Sequence, residues 1–232
     1  MITVVHIGAR GNPVKEWLPI AKRVALHGID ASNQAVEKLS NLDKLLGFQA
    51  FYKYAITGTG GKRQFNCTKS PDCSSFLEPD LVTWGALGST DRARVVKTET
   101  LDTITLNEFE NKHLDRRIDF LKLDVQGLEH EILSSYTRLD RILGIEVEAM
   151  FVPLYKEQKL FYDLARLLYP YGLSLYGMRR CSWSNDSFKR MVFADCLFLR
   201  DKDVPNYHHL LKKYGLISNK EKRKWDARYT SF

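Results

Sequence analysis

The chain has 232 residues, with 35 Lys and Arg against 28 Asp and Glu, a formal charge of +7 and a hydrophobic share of 44%. That apolar share excludes wholesale disorder, because it offers enough surface to offset the entropy of ordering, and no apolar run approaches the roughly 20 residues that cross a bilayer. The four cysteines, Cys67, Cys73, Cys181 and Cys196, show no C-x-x-C spacing. This argues against a metal or dithiol site and for reduced thiols in a cytoplasmic protein.

Met1 to Gly8 reads as a strand entering a turn, not as a secretory leader. The turn is Ala9-Arg10-Gly11-Asn12-Pro13. Trp17, Leu18, Ile20, Ala21, Val24 and Ala25 then recur at helical spacing, predicting a helix over about Pro13 to Val24 that Pro19 delays or kinks. A second strand fits Ala25 to Ala31. Ser32 is placed to cap a helix with Ala35, Val36, Leu39, Leu42, Leu45 and Leu46 on one face, stopped by Gly47. Phe48 to Ile56 is a third strand. Strand, helix, strand, helix, strand is a βαβαβ unit with a parallel sheet.

Thr57 to Arg94 breaks the rhythm with Gly, Pro, Ser and Thr, and reads as a long irregular insertion with a short hairpin near Lys62 to Thr68. Long loops inside compact domains are often functional. Val95 to Thr98 suggests a short strand and Leu101 to Glu110 a helix, with Asp102 as its cap. Ile118 to Asp124 is a fourth strand of the sheet, Gln126 to Tyr136 a helix, Arg141 to Glu148 a fifth strand, and Gln158 to Leu168 a helix ended by Pro170. Gly172 to Met178 and Met191 to Leu199 predict an antiparallel closing pair joined by a polar turn at Ser184 to Asp186. One domain over 1–211 is expected, followed by a basic tail over 212–232. The tail interleaves Tyr214, Trp225 and Tyr229 with lysines and arginines, and a solvated tail is preferred to a nucleic-acid arm.

Gly8 and Gly11 lie between the first strand and the first helical segment, where glycine permits positive φ and close approach of a ligand. Asp30 ends the second strand, where an acid can accept both hydroxyls of a ribose. The run Gly8-Ala9-Arg10-Gly11-Asn12 lacks the full G-x-G-x-x-G, which counts against NAD, and no P-loop is present. Asp124 ends the fourth strand. Ligands of open α/β sheets sit beyond the carboxyl ends of the strands, so Gly8, Asp30, Asp124 and the end of the fifth strand should converge on one crevice. Glu146 and Glu148 fall on one side of a buried strand, which is costly unless they are paired or belong to a site. Arg141 and Lys122 are the partners considered for Glu146.

The sequence resembles the FkbM-type methyltransferases, which are S-adenosylmethionine-dependent and have the Rossmann-like class I fold. The resemblance rests on Val5-His6-Ile7-Gly8-Ala9-Arg10-Gly11, Gly28-Ile29-Asp30-Ala31-Ser32, Cys73-Ser74-Ser75-Phe76-Leu77-Glu78-Pro79, Thr98-Glu99-Thr100-Leu101-Asp102 and Ile118 to Glu129. It also takes in Glu148-Ala149-Met150-Phe151-Val152-Pro153-Leu154-Tyr155, so it covers residues 4 to about 178 in family order. It implies an α/β fold with a mostly parallel central sheet, helices on both faces and an antiparallel C-terminal strand pair. It implies methyl transfer to a hydroxyl of a sugar, glycan or other small acceptor. The cofactor residues expected are His6, Gly8, Ala9, Gly11, Asp30, Ala31, Ser75 and Asp124; Asp124, Glu129 and Glu148 are the catalytic candidates. The family usually carries an acid where this chain has His6, and a neutral imidazole there can accept one hydrogen bond. Two alternatives stand beside this reading: an RNA ribose 2'-O-methyltransferase, for which the +7 charge is permissive, and a non-catalytic member that binds a metabolite or protein partner. Nucleic acid is not the expected partner, and nothing in the sequence sets the oligomeric state.

Overall fold

The computed structural model describes residues 1–184 and 189–200. The predicted basic tail and most of the predicted turn at Ser184 to Asp186 lie outside the described residues. Strand β1 (Ile2–Ile7) leads into a run of 3-10 turns over Pro13–Arg23. This is where an α-helix is predicted, but proline begins the segment, and Pro19 lacks the N–H that the next turn needs. The chain kinks at Ile20, which has φ −129° and ψ 27°. The segment still buries Val14 and Trp17, the latter edge-on to Phe120 with centroids 5.1 Å apart. Strand β2 (Val24–Asp30), helix α1 (Asn33–Ser40) and strand β3 (Phe48–Lys53) follow, with the Ser32 hydroxyl accepting from the Ala35 N–H as the sequence suggests.

The chain then leaves the main sheet. Strands β4 (Ala55–Ile56), β5 (Gly61–Thr68) and β6 (Val95–Ile104) form a second sheet in the order β4-β6-β5, and the short helices α2 (Leu81–Ala86) and α3 (Thr90–Ala93) lie between β5 and β6. The insertion is therefore ordered. Residues 101–104, predicted as helix, are strand. Thr98, Thr100, Thr103 and Ile104 favour extension, and β5 pairs with the whole run from Thr103 to Val95. Asp102 is consequently not a helix cap and pairs with Lys62 in the open. Thr105 caps helix α4 (Leu106–His113) in a reciprocal box with Glu108.

Strand β7 (Phe120–Leu123), helix α5 (Glu129–Ser135), strand β8 (Gly144–Met150), helix α6 (Phe161–Leu168) and the pair β9 (Leu173–Trp183) and β10 (Met191–Arg200) complete the chain. Helix α5 starts three residues later than predicted, because Gln126 and Gly127 take positive φ. The main sheet has the order β3-β2-β1-β7-β8-β10-β9. Its first five members are parallel, and β10 runs antiparallel to both β8 and β9. This is the predicted Rossmann-like arrangement with its antiparallel closing pair.

One face of the sheet packs Val5, Leu121, Val147 and Phe198 against Phe109, Ile132 and Leu164 from the helices. The opposite face changes character along its length. Toward the start of the parallel strands it is apolar, with Val4, Leu26, Phe120 and Leu197 under Trp17. Toward their carboxyl ends, period-two geometry brings His6, Lys122, Glu146, Glu148 and Asp195 to the same side, all buried. Lys122 Nζ lies 2.8 Å from Glu16 and 2.7 Å from Glu146, and Arg179 reaches Glu16, Glu146 and Asp195. An ionic layer thus stands on an apolar one, and it leads to the rim where a ligand belongs.

Candidate active site

The rim is the carboxyl end of β1, β2, β7 and β8. Gly8, at the end of β1, has φ +76°, and a Cβ there would run into the carbonyl oxygen of Asp124. Only glycine lets the β1 and β7 ends approach so closely. Gly11 also has positive φ, with open space around it. The N–H groups of Gly8 and Ala9 both donate to the Ile29 carbonyl, at 2.9 and 3.0 Å. They tie β1 to β2, so what the turn offers a ligand is space, not these two donors.

A cavity of about 1000 Å³ opens at this rim. Gly8, Gly11, Asp30, Ala31, Asp124 and Glu148 line it, from four different parts of the chain, as the crevice argument requires. Its far wall comes from the insertion, through Cys73, Trp84 and Arg92, and from the closing pair, through Arg180, Trp183 and Phe193. Four predicted residues do not line it. His6 is buried in the sheet, in register with Gly28 and Lys122. Ala9 is fully buried. Ser75 is buried with its hydroxyl donating to the Gln126 carbonyl at 2.6 Å and accepting from the Leu77 N–H. Glu129, 3% exposed, accepts the N–H groups of Val125 and Gly127, each at 3.0 Å. Burial raises its carboxyl to about 7. These bonds hold the loop after β7.

Asp30 is 8% exposed and accepts the Ser32 N–H at 2.8 Å. Burial pushes its carboxyl up, and the Ser32 bond opposes the shift. Asp124 and Glu148 are joined by the side-chain amide of Gln126, whose Nε2 donates to Asp124 Oδ1 at 2.9 Å and to Glu148 Oε2 at 2.8 Å. On its other side the Tyr155 hydroxyl shares its proton between the Cys73 carbonyl at 2.9 Å and Gln126 Oε1 at 3.1 Å. Glu148 is pushed up to about 9, first by burial and then by the charge of Asp124. Arg180 Nη2 lies 3.4 Å from Glu148 and 3.8 Å from Asp124.

Sequence reasoning did not single out Gln126 or Arg180. Gly127 hinted at the first, since a glycine after a strand end often marks positive φ, and Gln126 itself has φ 55°. No local signal marks the second. Of the two carboxylates weighed on β8, Glu146 is paired with Lys122, one of the partners considered, and with Arg179, whereas Glu148 belongs to the cavity. Three cations, Lys122, Arg179 and Arg180, are shared among Glu16, Glu146, Asp195, Glu148 and Asp124. At the cavity this leaves the Asp124 side chain and the Arg180 guanidinium open beside the buried Glu148.

Residues 11–180 match the family described as the Methyltransferase FkbM domain. Among solved structures, the chain is similar to magnesium protoporphyrin IX methyltransferase from Synechocystis PCC 6803 with bound SAM, at 13% identity over 86% of this chain and 70% of that one, with a TM-score of 0.41. It is also similar to a TehB-like SAM-dependent methyltransferase from Corynebacterium glutamicum ATCC 13032 Kitasato, at 10% identity over 86% of this chain and 80% of that one, with a TM-score of 0.38. No curated protein matches the chain.

Proposed function

The chain belongs to the FkbM methyltransferase family, and from that premise we propose that it moves a methyl group from S-adenosylmethionine to a hydroxyl of a sugar, glycan or other small hydroxylated acceptor. The observation that supports this most is the meeting of Gly8, Asp30 and Asp124 at one cavity. The residues fit the donor. Asp30 ends β2 as a buried acid facing the cavity, suited to ribose hydroxyls. The β1 turn leaves room beside it, and Asp124 offers a carboxyl group that a sulfonium or an ammonium can face. When bound, the donor supplies an electrophilic methyl group.

The chain's own residues orient the partners and handle one proton. The acceptor hydroxyl must lose its proton as the new bond forms. Asp124 is assigned that proton, being the more open of the bridged acids, with 29% of its side chain exposed against 8% for Glu148. Glu148 keeps its own proton near neutrality and, through the Gln126 amide, fixes where Asp124 sits. The wall of Trp84, Trp183 and Phe193 gives the acceptor an apolar and aromatic surface on which a sugar face can lie.

Two further features support parts of the reading. Lys122 is buried and committed to Glu16 and Glu146, so it does not stand free at the cavity to meet a phosphate of an RNA acceptor. All four cysteines are unpaired, which favours the reducing cytoplasm. Among the described residues no helix is long and apolar enough to cross a membrane.

Calorimetry with S-adenosylhomocysteine tests the proposal. Wild type is expected to bind, and Asp30→Ala to bind about tenfold or more weakly, as loss of a charged hydrogen-bond acceptor implies. Equal affinity in both proteins would remove Asp30 from the donor site, and no binding by wild type would favour the non-catalytic member.

A further inference from the structure

Arg179 and Arg180 are neighbours on β9, and in a regular strand they would face opposite sides of the sheet. Here both guanidinium groups reach Asp195. Arg179 Nη2 lies 3.1 Å from it, and Arg180 grips it with Nε at 2.7 Å and Nη2 at 2.6 Å. The cause is a bulge. Along the β9–β10 ladder Asp195 pairs with Arg179 and Phe193 with Ser182, so Arg180 and Cys181 together oppose the single residue Ala194. Arg180 takes φ 48° there, a conformation that a residue with a long side chain rarely adopts. Bulges re-aim side chains, and they recur beside active sites.

The bulge aims Arg180 across the sheet. Asp195 stands opposite Glu148 in the β10–β8 register, so the guanidinium is anchored on β10 and extends over β8 to the end of β7. Half of the side chain stays open to the cavity. The charged groups facing it are Asp195 from β10, Glu148 from β8 and Asp124 from the end of β7. Arg179 shares Asp195 from its own strand, and Glu129, at the start of α5, adds its charge to what Glu148 feels.

Resting on the reading of Asp124 and Glu148 as the working acids, we infer that Arg180, anchored on Asp195 and 3.4 Å from Glu148, is a positioning residue that tunes how readily Glu148 gives up its proton. A cation beside both acids lowers the cost of charge on either, and the Asp195 anchor fixes its distance to each. Arg180 is also the charge that pulls Glu148 downward, against burial and against Asp124, Glu129 and Asp195. A residue that merely closed the hairpin would not move that titration.

The experiment is a carbon-13 NMR titration of carboxyl groups in the full chain labelled at Asp and Glu, with Asp124→Asn and Glu148→Gln to assign signals. Arg180→Gln is expected to move the Glu148 midpoint upward by about one unit or more, as loss of a nearby opposite charge does. Arg180→Lys, which keeps the charge and loses the fork, is expected to shift it in the same direction by less. If Arg180→Gln does not fold, the lysine variant carries the test. A Glu148 midpoint that stays at its wild-type value in the folded variants overturns the inference. Binding of S-adenosylhomocysteine by wild type is measured alongside. Its absence would overturn the donor reading, whatever the titration shows.

Discussion

At Gly8 the backbone dihedral and the packing impose the same requirement. The left-handed φ disfavours any side chain by about 1–2 kcal/mol, and the Asp124 carbonyl occupies the place where a Cβ would go. Gly11 shares only the first constraint, since nothing lies within 4 Å of its virtual Cβ. Thermal denaturation of Gly8→Ala and Gly11→Ala separates the two. The alanine at 8 is expected to lower the midpoint clearly more than the alanine at 11, and equal midpoints would mean that the Asp124 peptide yields easily. Gly8, Asp30 and Asp124 could be found in the sequence because each ends a strand whose pattern is plain. Ser75 and Glu129 were found as well, yet their position alone did not reveal that their polar atoms serve the backbone of the 125–127 loop. Arg180 was out of reach, since its aim depends on a bulge that pairs two residues with one, and composition does not announce where a ladder slips.

Among the elements, the insertion shows how pairing overrides local pattern. Leu101 to Ile104 looks helical by spacing, but β5 offers it a continuous partner, and the helix waits for the Thr105 cap. The second sheet was legible only in pieces, since Lys62 to Thr68, predicted as a hairpin, is the single strand β5, and its pairing with the strand predicted from Val95 was not read, for a related reason. Its strands are short or polar on both sides, and their partners lie some 40 residues away. The insertion is fastened to the active-site loop by Ser75, whose hydroxyl bonds the Gln126 carbonyl and the Leu77 N–H. Ser75→Ala leaves both buried groups without that partner, at about 1–3 kcal/mol. It is expected to lower the thermal midpoint and to weaken S-adenosylhomocysteine, because Gln126 carries the bridge between Asp124 and Glu148. A lower midpoint with unchanged affinity would show that the bridge does not depend on this fastening.

For the whole molecule, two buried groups tilt stability with pH in opposite directions. His27, 7% exposed and stacked on Tyr52, is lowered by burial to about 4 from 6.5. The unfolded chain therefore takes up that proton first, and the contribution present above pH 6.5 is lost as pH falls toward 4. Glu148 is raised from 4.5 to about 9, so its contribution is full below pH 4.5 and is lost as pH rises toward 9. Melting temperatures across pH 4 to 9 check both. His27→Gln is expected to flatten the acid limb and Glu148→Gln the alkaline limb. An unchanged limb in either variant would show that the group's burial is not felt in folding. The parallel sheet and its crevice were legible because alternating strands and helices admit few topologies. The ionic layer was legible only in part. Glu146 and Glu148 announced themselves, whereas Glu16 comes from a segment predicted as helix, and Arg179 from a hairpin with irregular register. From Glu16 to Asp195 the inner charges stand within a few ångströms of one another and largely out of water, whereas Arg180 and Asp124 at the cavity are open to it. Dissolved ions screen such a row far less than they screen exposed pairs. The pairing of the inner row should therefore hold in brine as in dilute buffer, while what the two open groups at the cavity exert on a charged ligand fades as ionic strength rises.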